Sequence, residues 1–349
     1  MPSPDDFVRR AFETGASDLI LAEGQAPNVR IHGEIVPLEP APLDRAVVAE
    51  LWTACGADPA QVQETDVSWT AADGFRLRVN LFKSLGKLSA VLRPIKRSVP
   101  DFQELGLPAE LLANWLGHRS GLILVSGPAG SGKSTTVASC LDWINRHHRR
   151  HIVTIEDPIE YLFENDLSHF SQREIGQDTA TFSGALRVAL RQSPDIIFLG
   201  EIRDEDSALI ALRAAETGHL VLATLHSSGV PETLDRLGNL YPPNQRDSAL
   251  QLLGDHLVGV LSQRLLPAEG GGLFLAVEHL ENEAATRQWI RDRNQTALRD
   301  FLNRSATPGS VPFLHSLREA VLDGLVHPST ARAAAPNAHD FDRALRGIS

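Results

Sequence analysis

The chain has few cysteines and no long apolar run. Its 349 residues include only two cysteines, Cys55 and Cys140. Two cysteines exclude a four-cysteine zinc site and argue against a disulfide framework. Apolar runs such as Leu122–Val125 and Leu220–Leu225 are far shorter than the ~20 residues that cross a bilayer, so we expect no inserted segment.

Positive charge is also scarce. Lysine and arginine total 33 against 44 acidic residues, which gives a net charge of −11 and argues against nucleic acid as a direct partner. The basic cluster at Arg146–His151 is interpreted as a solvated helix end, with a phosphate-binding patch as the alternative. The opening MPSPDDF lacks the basic and apolar segments of a secretory signal, so we expect a cytoplasmic protein.

Residues 1–96 are predicted to form a small α+β domain. Phe75–Phe82 alternates apolar and polar residues, so Arg76 and Arg78 should share the polar face of a strand. The partner strand Leu88–Ile95 carries Arg93, so a group of arginines is expected to project from this sheet. Prolines then mark a linker at residues 97–106.

Strands alternate with helices over residues 107–340, which predicts an α/β domain with a mostly parallel sheet covered by helices. The C-terminal part is predicted to be mainly helical. The predicted strands are Gly121–Val125, His151–Ile155, Asp195–Leu199 and Leu220–Leu225. The apolar stripe of the predicted C-terminal helix comprises Leu250, Leu253, Leu257, Val260 and Leu261.

The stretch GPAGSGKSTT has the composition of a loop that holds the polyphosphate of a nucleotide. It follows a predicted strand and leads into a helical pattern, which is the context that such a loop requires. Its glycines let the backbone wrap phosphate, Lys133 reaches the outer phosphates and Ser134 is placed for Mg²⁺. A glycine-rich turn with one lysine is the alternative. Nucleotide binding is assigned to Gly127, Pro128, Ala129, Gly130, Ser131, Gly132, Lys133, Ser134, Thr135 and Thr136.

Acidic residues and a histidine follow the ends of the other predicted strands, where ligands of open α/β sheets collect. Glu160 comes shortly after the second strand, Glu201 after the third and His226 directly after the fourth. Carboxylates there can coordinate Mg²⁺ through water and orient an attacking water. The alternatives are a helix-capping acid for Glu201 and an exposed hairpin acid for Glu160.

Three further assignments depend on position along the strands. His226 lies at the correct end to sense a γ-phosphate. His219 precedes its strand and should lie at the opposite end of the sheet, so structural and functional roles stay equally open. Arg203 fits either a site role or a salt bridge at the start of a helix.

Four ordered segments resemble the secretion-superfamily ATPases of type IV pili and type II secretion: GPAGSGKSTT, TIEDPIEYLF, SPDIIFLGEIRD and TGHLVLATLHS. They correspond to the family's Walker A, Asp-box, Walker B and His-box. Within this superfamily the chain looks most like the pilus retraction ATPases, the PilT subfamily. Residues 16–38 resemble the PAS-like N-terminal domain of that group.

The resemblance implies a RecA-like ATPase domain that uses ATP and Mg²⁺ and works as a homohexameric ring. It further implies that arginines of the N-terminal domain reach nucleotide held by the C-terminal domain. The expected partner is a pilus platform protein at the cytoplasmic face of the inner membrane, and this partner would provide the only membrane association. The implied roles are phosphate and Mg²⁺ binding for Lys133 and Ser134, catalysis for Glu201 with help from Glu160, a His-box pair of His219 and His226, and phosphate contact for Arg76, Arg78 and Arg93.

One segment departs from the subfamily pattern. Where retraction ATPases carry AIRNLIRE, residues 285–292 read ATRQWIRD. The change keeps open a weakly hydrolysing accessory scaffold. An extension or type II secretion ATPase is disfavoured, because those carry a four-cysteine zinc element. A nucleic-acid translocase is disfavoured by the overall acidity.

Overall fold

The computed structural model describes residues 2–31, 33–304, 307 and 309–347. The chain divides into two compact units, Met1–Arg97 with Glu160–Leu162, and Ser98–Ile159 with Phe163–Ser349. In the described part of the chain, no helix is long and apolar enough to cross a membrane.

The first unit contains a six-stranded antiparallel sheet with two helices. Its strand order is β3-β2-β1-β6-β5-β4. The strands are β1 (Asp18–Ala22), β2 (Asn28–Ile31), β3 (Glu34–Pro37), β4 (Glu64–Thr70), β5 (Arg76–Ser84) and β6 (Lys87–Pro94), and the helices are α1 (Pro4–Glu13) and α2 (Arg45–Ala54).

Strand β5 shows why this sheet forms. Leu77, Val79 and Leu81 are fully buried on one face of the strand, where they join the core with residues of α1 and α2. The intervening Arg78 is exposed on the other face, directly opposite Arg93 of β6. The predicted period of two is therefore confirmed, and so is an arginine-bearing face of the sheet.

The second unit contains an eight-stranded sheet in the order β14-β13-β12-β7-β11-β10-β8-β9. The six strands from β12 to β9 run parallel. At one edge, β13 pairs antiparallel with β12, and β14 pairs antiparallel with β13. The strands are β7 (Gly121–Ser126), β8 (His151–Glu156), β9 (His169–Glu174), β10 (Ile196–Leu199), β11 (Leu220–Leu225), β12 (Leu257–Pro267), β13 (Leu273–Glu281) and β14 (Ser310–Val311). The helices are α3 (Ala109–Leu116), α4 (Lys133–His147), α5 (Phe182–Ala189), α6 (Glu205–Glu216), α7 (Val230–Asn239), α8 (Pro243–His256), α9 (Ala284–Arg291), α10 (Gln295–Arg304), α11 (Phe313–Leu322), α12 (Pro328–Ala334) and α13 (Ala338–Leu345).

Helices cover both faces of this sheet, as the α/β prediction requires. Leu122 and Leu124 of β7 pack in one buried cluster with residues of α5 to α8. Ile123 and Val125 pack in another with α3 and α4. The second cluster also contains Cys140, whose thiol has a pKa raised by burial to about 12. The four predicted strands are confirmed to within one residue at each end.

The prediction of a mainly helical C-terminal part is wrong for Leu257, Val260 and Leu261. Helix α8 ends at His256, and these residues lie in β12 between β7 and β13. A run of leucine and valine buried on both faces fits a strand as well as a helix, and pairing with β7 decides between them.

The predicted linker at 97–106 is partly in the core, because Phe102 is buried and its ring lies 6.4 Å from that of Trp143.

Candidate phosphate site

The loop between β7 and α4 can only be built with glycine at its first position. Gly127 has φ +152°, and a Cβ atom there would lie 2.5 Å from both the Gln263 carbonyl oxygen and Ser131 Oγ. Gly132, the N-cap of α4, has a left-handed conformation with φ +85°. The loop therefore passes close to β12 and turns sharply into the helix, in the strand–loop–helix context that the sequence predicts.

The remaining loop residues surround the start of α4. Pro128, Ala129 and Gly130 are exposed, while Ser134 and Thr135 in the first helical turn are partly buried. Thr136 is buried. Backbone N–H groups at a helix N-terminus attract anions, so this exposed rim is suited to phosphate.

Gln263, which is not among the predicted site residues, supports the loop from β12. Its side chain is fully buried, and Nε2 donates to the Ser131 carbonyl oxygen at 2.5 Å. The signal in the sequence is the polar run Ser262–Arg264, which interrupts an otherwise apolar strand. A buried amide in such a strand indicates a specific hydrogen-bonding partner.

Lys133 is buried beneath the loop and is bonded within it. Its Nζ donates to the carbonyl oxygens of Gly127 at 2.9 Å and Pro128 at 3.0 Å. The same Nζ lies 3.2 Å from Nδ1 of His226, which can accept this bond only when unprotonated. Burial, together with the nearby Lys133 charge, lowers the pKa of His226, so the histidine is neutral near pH 7.

Glu201 lies on the other side of His226. Its Oε1 is 3.5 Å from His226 Nε2, and its Oε2 accepts a hydrogen bond of 2.6 Å from Arg203 Nε. Arg203 Nη1 also donates to Asp157 Oδ2 at 3.3 Å. The carboxyl ends of β7, β8, β10 and β11 thus bring together Lys133, His226, Glu201 and Asp157. Asp157 is not among the predicted site residues.

His219 lies at the opposite end of the sheet, as predicted. Its carbonyl oxygen accepts from the N–H of Gly121, the first residue of β7, whereas the phosphate loop follows the last. Its Nδ1 is 3.0 Å from the Ala214 carbonyl oxygen at the end of α6. This arrangement gives His219 a structural contact, while its implied His-box role stays a prediction.

Glu160 belongs to the first unit through its backbone. Its carbonyl oxygen accepts from Lys96 N at 3.2 Å, and Tyr161 pairs with Lys96 as an isolated bridge. The Glu160 side chain is exposed. Its implied role at the metal or the water stays a prediction.

The three candidate arginines differ in how firmly the first unit holds them. Arg93 donates from Nε and Nη2 to Asp18 Oδ1 at 3.0 and 2.6 Å. Arg78 Nε lies 3.7 Å from the exposed carboxylate of Asp66. Arg76 Nη1 donates to a threonine hydroxyl of β4 at 3.3 Å. Their contact with nucleotide stays a prediction.

The oxygen donors of the site fit a magnesium ion that arrives with a nucleotide. Among the residues with described positions, no group of three or more histidine, cysteine, aspartate or glutamate side chains could hold a metal ion. The predicted ligands are the Ser134 hydroxyl and the Glu201 carboxylate, and their contact with a metal stays a prediction. Mg²⁺ in nucleotide sites uses one or two protein oxygens together with phosphates and water, so this small set is sufficient.

The chain is similar to known proteins over most of its length. The family described as type II/IV secretion system protein matches residues 63–294. The type IV pilus retraction ATPase PilT of Pseudomonas aeruginosa is 37% identical over 96% of this chain and 99% of its own. A twitching motility protein of Neisseria gonorrhoeae is 36% identical over 90% of this chain and 86% of its own. A crystal structure of the pilus retraction motor PilT with bound ADP is 38% identical and superposes with a TM-score of 0.91, covering 98% of this chain and all of that one.

Proposed function

The chain belongs to the type II/IV secretion system protein family, and from that membership we propose that it is an ATP-hydrolysing motor that powers pilus retraction or related pilus machinery. The observation that carries the proposal is the convergence of Lys133, His226 and Glu201 at one end of the parallel sheet. The similarity of this chain to PilT, whose crystal structure holds ADP, supports adenine nucleotide as the ligand.

The proposed reaction is hydrolysis of the terminal phosphoryl group. A water attacks the γ-phosphorus, the bond to the bridging oxygen breaks, and Glu201 accepts the water's proton before releasing it to solvent. Lys133 exchanges at least one of its present acceptors for phosphate oxygen. Mg²⁺ bound to the Ser134 hydroxyl and, through water, to Glu201 and Glu160 would neutralise charge on the phosphates.

We assign the remaining implied roles to the assembled motor. In a homohexamer, Arg76, Arg78 and Arg93 would contact nucleotide. The proposed working site is the cytoplasmic face of the inner membrane, where a platform protein of the pilus would be the partner. The exposed arginine face of β5 and β6 supports the nucleotide contact of these arginines.

The proposal is tested by ATPase activity in Mg²⁺ together with native mass, for the wild type and Glu201→Gln. A motor is expected to lose turnover in the variant by about 100-fold or more, while it keeps ADP affinity and a six-fold native mass. Lys133→Ala is the matched control, because it should lose nucleotide affinity as well. Equal turnover in the wild type and Glu201→Gln would refute the catalytic assignment.

The same measurement of ATPase activity and nucleotide affinity distinguishes a motor from the alternative, a weakly hydrolysing accessory scaffold. Helix α9 carries Trp289, whose ring lies 5.4 Å from that of Phe301 and packs against the core. This residue lies in the segment that departs from the retraction pattern. Tight ADP binding with negligible wild-type turnover would favour a nucleotide-bound scaffold over a motor.

A further inference from the structure

One buried carboxylate holds the first residues of two helices. Glu278 of β13 is almost fully buried, and its Oε1 accepts from the N–H of Val230 at 2.6 Å. Its Oε2 accepts from the N–H of Phe313 at 3.3 Å. Val230 begins α7 and Phe313 begins α11. A carboxylate is favourable at a helix N-terminus, and here a single side chain serves both ends.

Neither helix has a cap of its own. The N-cap residues are Gly229 for α7 and Pro312 for α11, and neither makes a side-chain cap hydrogen bond. A Cβ atom on Gly229 would lie 2.5 Å from Glu232 Oε2 and 3.1 Å from Glu278 Oε1. The absence of a side chain at position 229 therefore leaves the room that Glu278 occupies.

A second side chain makes a parallel bridge. Arg264 of β12 donates from Nη2 to the Ser228 carbonyl oxygen at 2.7 Å and from Nη1 to that of Ala334 at the end of α12. Its guanidinium carbon lies 4.6 Å from the centre of the Phe313 ring. Glu278 and Arg264 thus each join residues 228–230 to the C-terminal helices.

Residues 228–230 follow His226 after one intervening residue, Ser227, and His226 contacts the phosphate site. His226 Nδ1 is 3.2 Å from Lys133 Nζ, and Nε2 is 3.5 Å from Glu201 Oε1. A shift of His226 when Lys133 takes up phosphate would pull on a segment whose far end is fixed by Glu278 and Arg264. The short path contains only Ser227, Ser228 and Gly229 between the two anchored points.

We infer that Glu278 is a positioning residue that couples the His226 segment to helices α11 and α12, so that nucleotide bound at the phosphate loop alters the C-terminal helices. The inference rests on the proposed function only for the identity of the nucleotide. Burial raises the pKa of Glu278, against the two backbone donors, which is the electrostatic cost expected of a carboxylate kept in the core for its bonds.

Hydrogen exchange read by mass spectrometry tests this coupling in the full chain, with and without ADP and Mg²⁺. Glu278→Gln keeps the shape but turns one acceptor into a donor facing a backbone N–H. Without nucleotide, exchange should therefore accelerate about tenfold at the start of the helix, α7 or α11, whose N–H faces the new amide NH2. In the wild type, ADP should slow exchange in α11 by about threefold or more, and in Glu278→Gln this effect should disappear while the phosphate loop stays protected.

Matched variants separate coupling from simple destabilisation. Glu232→Gln changes a partly exposed acid in the first turn of α7 that pairs with Arg299 at 3.0 Å, so it should preserve the ADP effect on α11. His226→Asn should abolish that effect with Glu278 intact. If Glu278→Gln does not fold, Arg264→Lys tests the second bridge, because lysine cannot span both carbonyl oxygens, and it should weaken the same response.

The outcomes distinguish a failure of the coupling through Glu278 from a failure of the proposed function. ADP protection of α11 that persists in Glu278→Gln would overturn the coupling, and so would unchanged exchange at the starts of both α7 and α11 in the nucleotide-free variant. If ADP protects neither the phosphate loop nor α11 in the wild type, the proposed function fails. Glu278 is then judged on the nucleotide-free exchange alone, where acceleration at a helix start supports its role as a cap and unchanged exchange at both starts refutes it.

Discussion

Arg203 joins Glu201 to Asp157, so one guanidinium fixes the acid that follows β10 against the acid that follows β8. The bond from Nε to Glu201 Oε2 measures 2.6 Å, and Nη1 lies 3.3 Å from Asp157 Oδ2. The hydrogen bond to Glu201 raises the pKa of Arg203, which therefore stays charged throughout the working pH range. Glu201 is held next to His226 by a permanent cation.

Replacing Arg203 with alanine is expected to lower ATP turnover about 10- to 100-fold, since a hydrogen bond to a charged group contributes ~1.5–3 kcal/mol. KM and ADP affinity should change little, because Arg203 contacts Glu201 and not the phosphate loop. Arg203→Lys keeps the charge but loses the forked guanidinium geometry. Its ATP turnover should therefore lie between those of the wild type and Arg203→Ala. Steady-state kinetics and ADP titration measure both quantities. A loss of ADP affinity as large as the loss of turnover would assign Arg203 to binding instead.

Local signals account for the parts of the site that the sequence predicts. The glycine spacing before Lys133 specifies a loop that only a strand and a helix can flank, and both are present. Strands that end shortly before Glu201 or directly before His226 place those side chains at one sheet edge once the strands run parallel. Neither inference requires knowledge of which strands are neighbours.

Contacts between distant segments account for what the sequence does not predict. Gln263 reaches Ser131 across 132 positions, and the location of β12 beside β7 is what makes that contact possible. The apolar run Leu257–Leu261 fits both a helix and a buried strand until that neighbour is known. Glu278 lies in β13, which is not among the predicted strands, so its bonds to the starts of two helices could not be predicted.

Two glycines of the phosphate loop should respond differently to alanine. At Gly127 the new Cβ would meet the backbone oxygen of Gln263 at 2.5 Å, whereas at Gly130, with φ +73°, no heavy atom lies within 4 Å. Gly130→Ala should therefore cost only about 1 kcal/mol of backbone strain. Gly127→Ala should cost more and should abolish ADP binding, because the loop must move away from β12. Urea unfolding and ADP titration of the pair would refute this account if the two variants behaved alike.

Stability at acidic pH should depend on His279. This residue of β13 is 4% exposed, and its Nδ1 lies 3.3 Å from the Gly309 carbonyl oxygen. Burial lowers the pKa of His279 despite that hydrogen bond. As the pH falls below the ordinary value of about 6.5, the unfolded chain takes up the proton first, so the free energy of unfolding decreases until the folded pKa is passed.

His279→Gln should reduce this pH dependence, since glutamine can still donate to the Gly309 carbonyl oxygen and cannot take up a proton. The measurement is the urea midpoint at pH 7.5 and pH 5.5 for both proteins. The variant should show a smaller difference between the two pH values. The exposed His339 provides the control, because His339→Gln should leave the wild-type difference unchanged. An unchanged difference in His279→Gln would show that other groups dominate the acid response.

Arg78 and Arg93 face each other across β5 and β6, yet their removal should have different effects. Arg78 and its partner Asp66 are 45% and 57% exposed, and such a surface pair contributes at most ~1 kcal/mol. Arg78→Ala should therefore leave thermal stability nearly unchanged, and any loss of turnover would report on phosphate contact. Arg93 instead bonds Asp18, whose carboxylate is 6% exposed. Burial raises the pKa of Asp18, but hydrogen bonds from Ser17 and Arg93 outweigh it and leave that pKa lowered.

Arg93→Ala should consequently destabilise the first unit by about 1–3 kcal/mol, because it leaves a buried carboxylate short of two hydrogen bonds. Thermal unfolding, ATP turnover and ADP affinity of the two variants separate a motor contact from a structural one. Turnover lost in Arg78→Ala with stability and ADP affinity intact identifies Arg78 as the residue that reaches phosphate. Equal loss of turnover and affinity in that variant would remove Arg78 from the role, and full turnover would shift the search to Arg76.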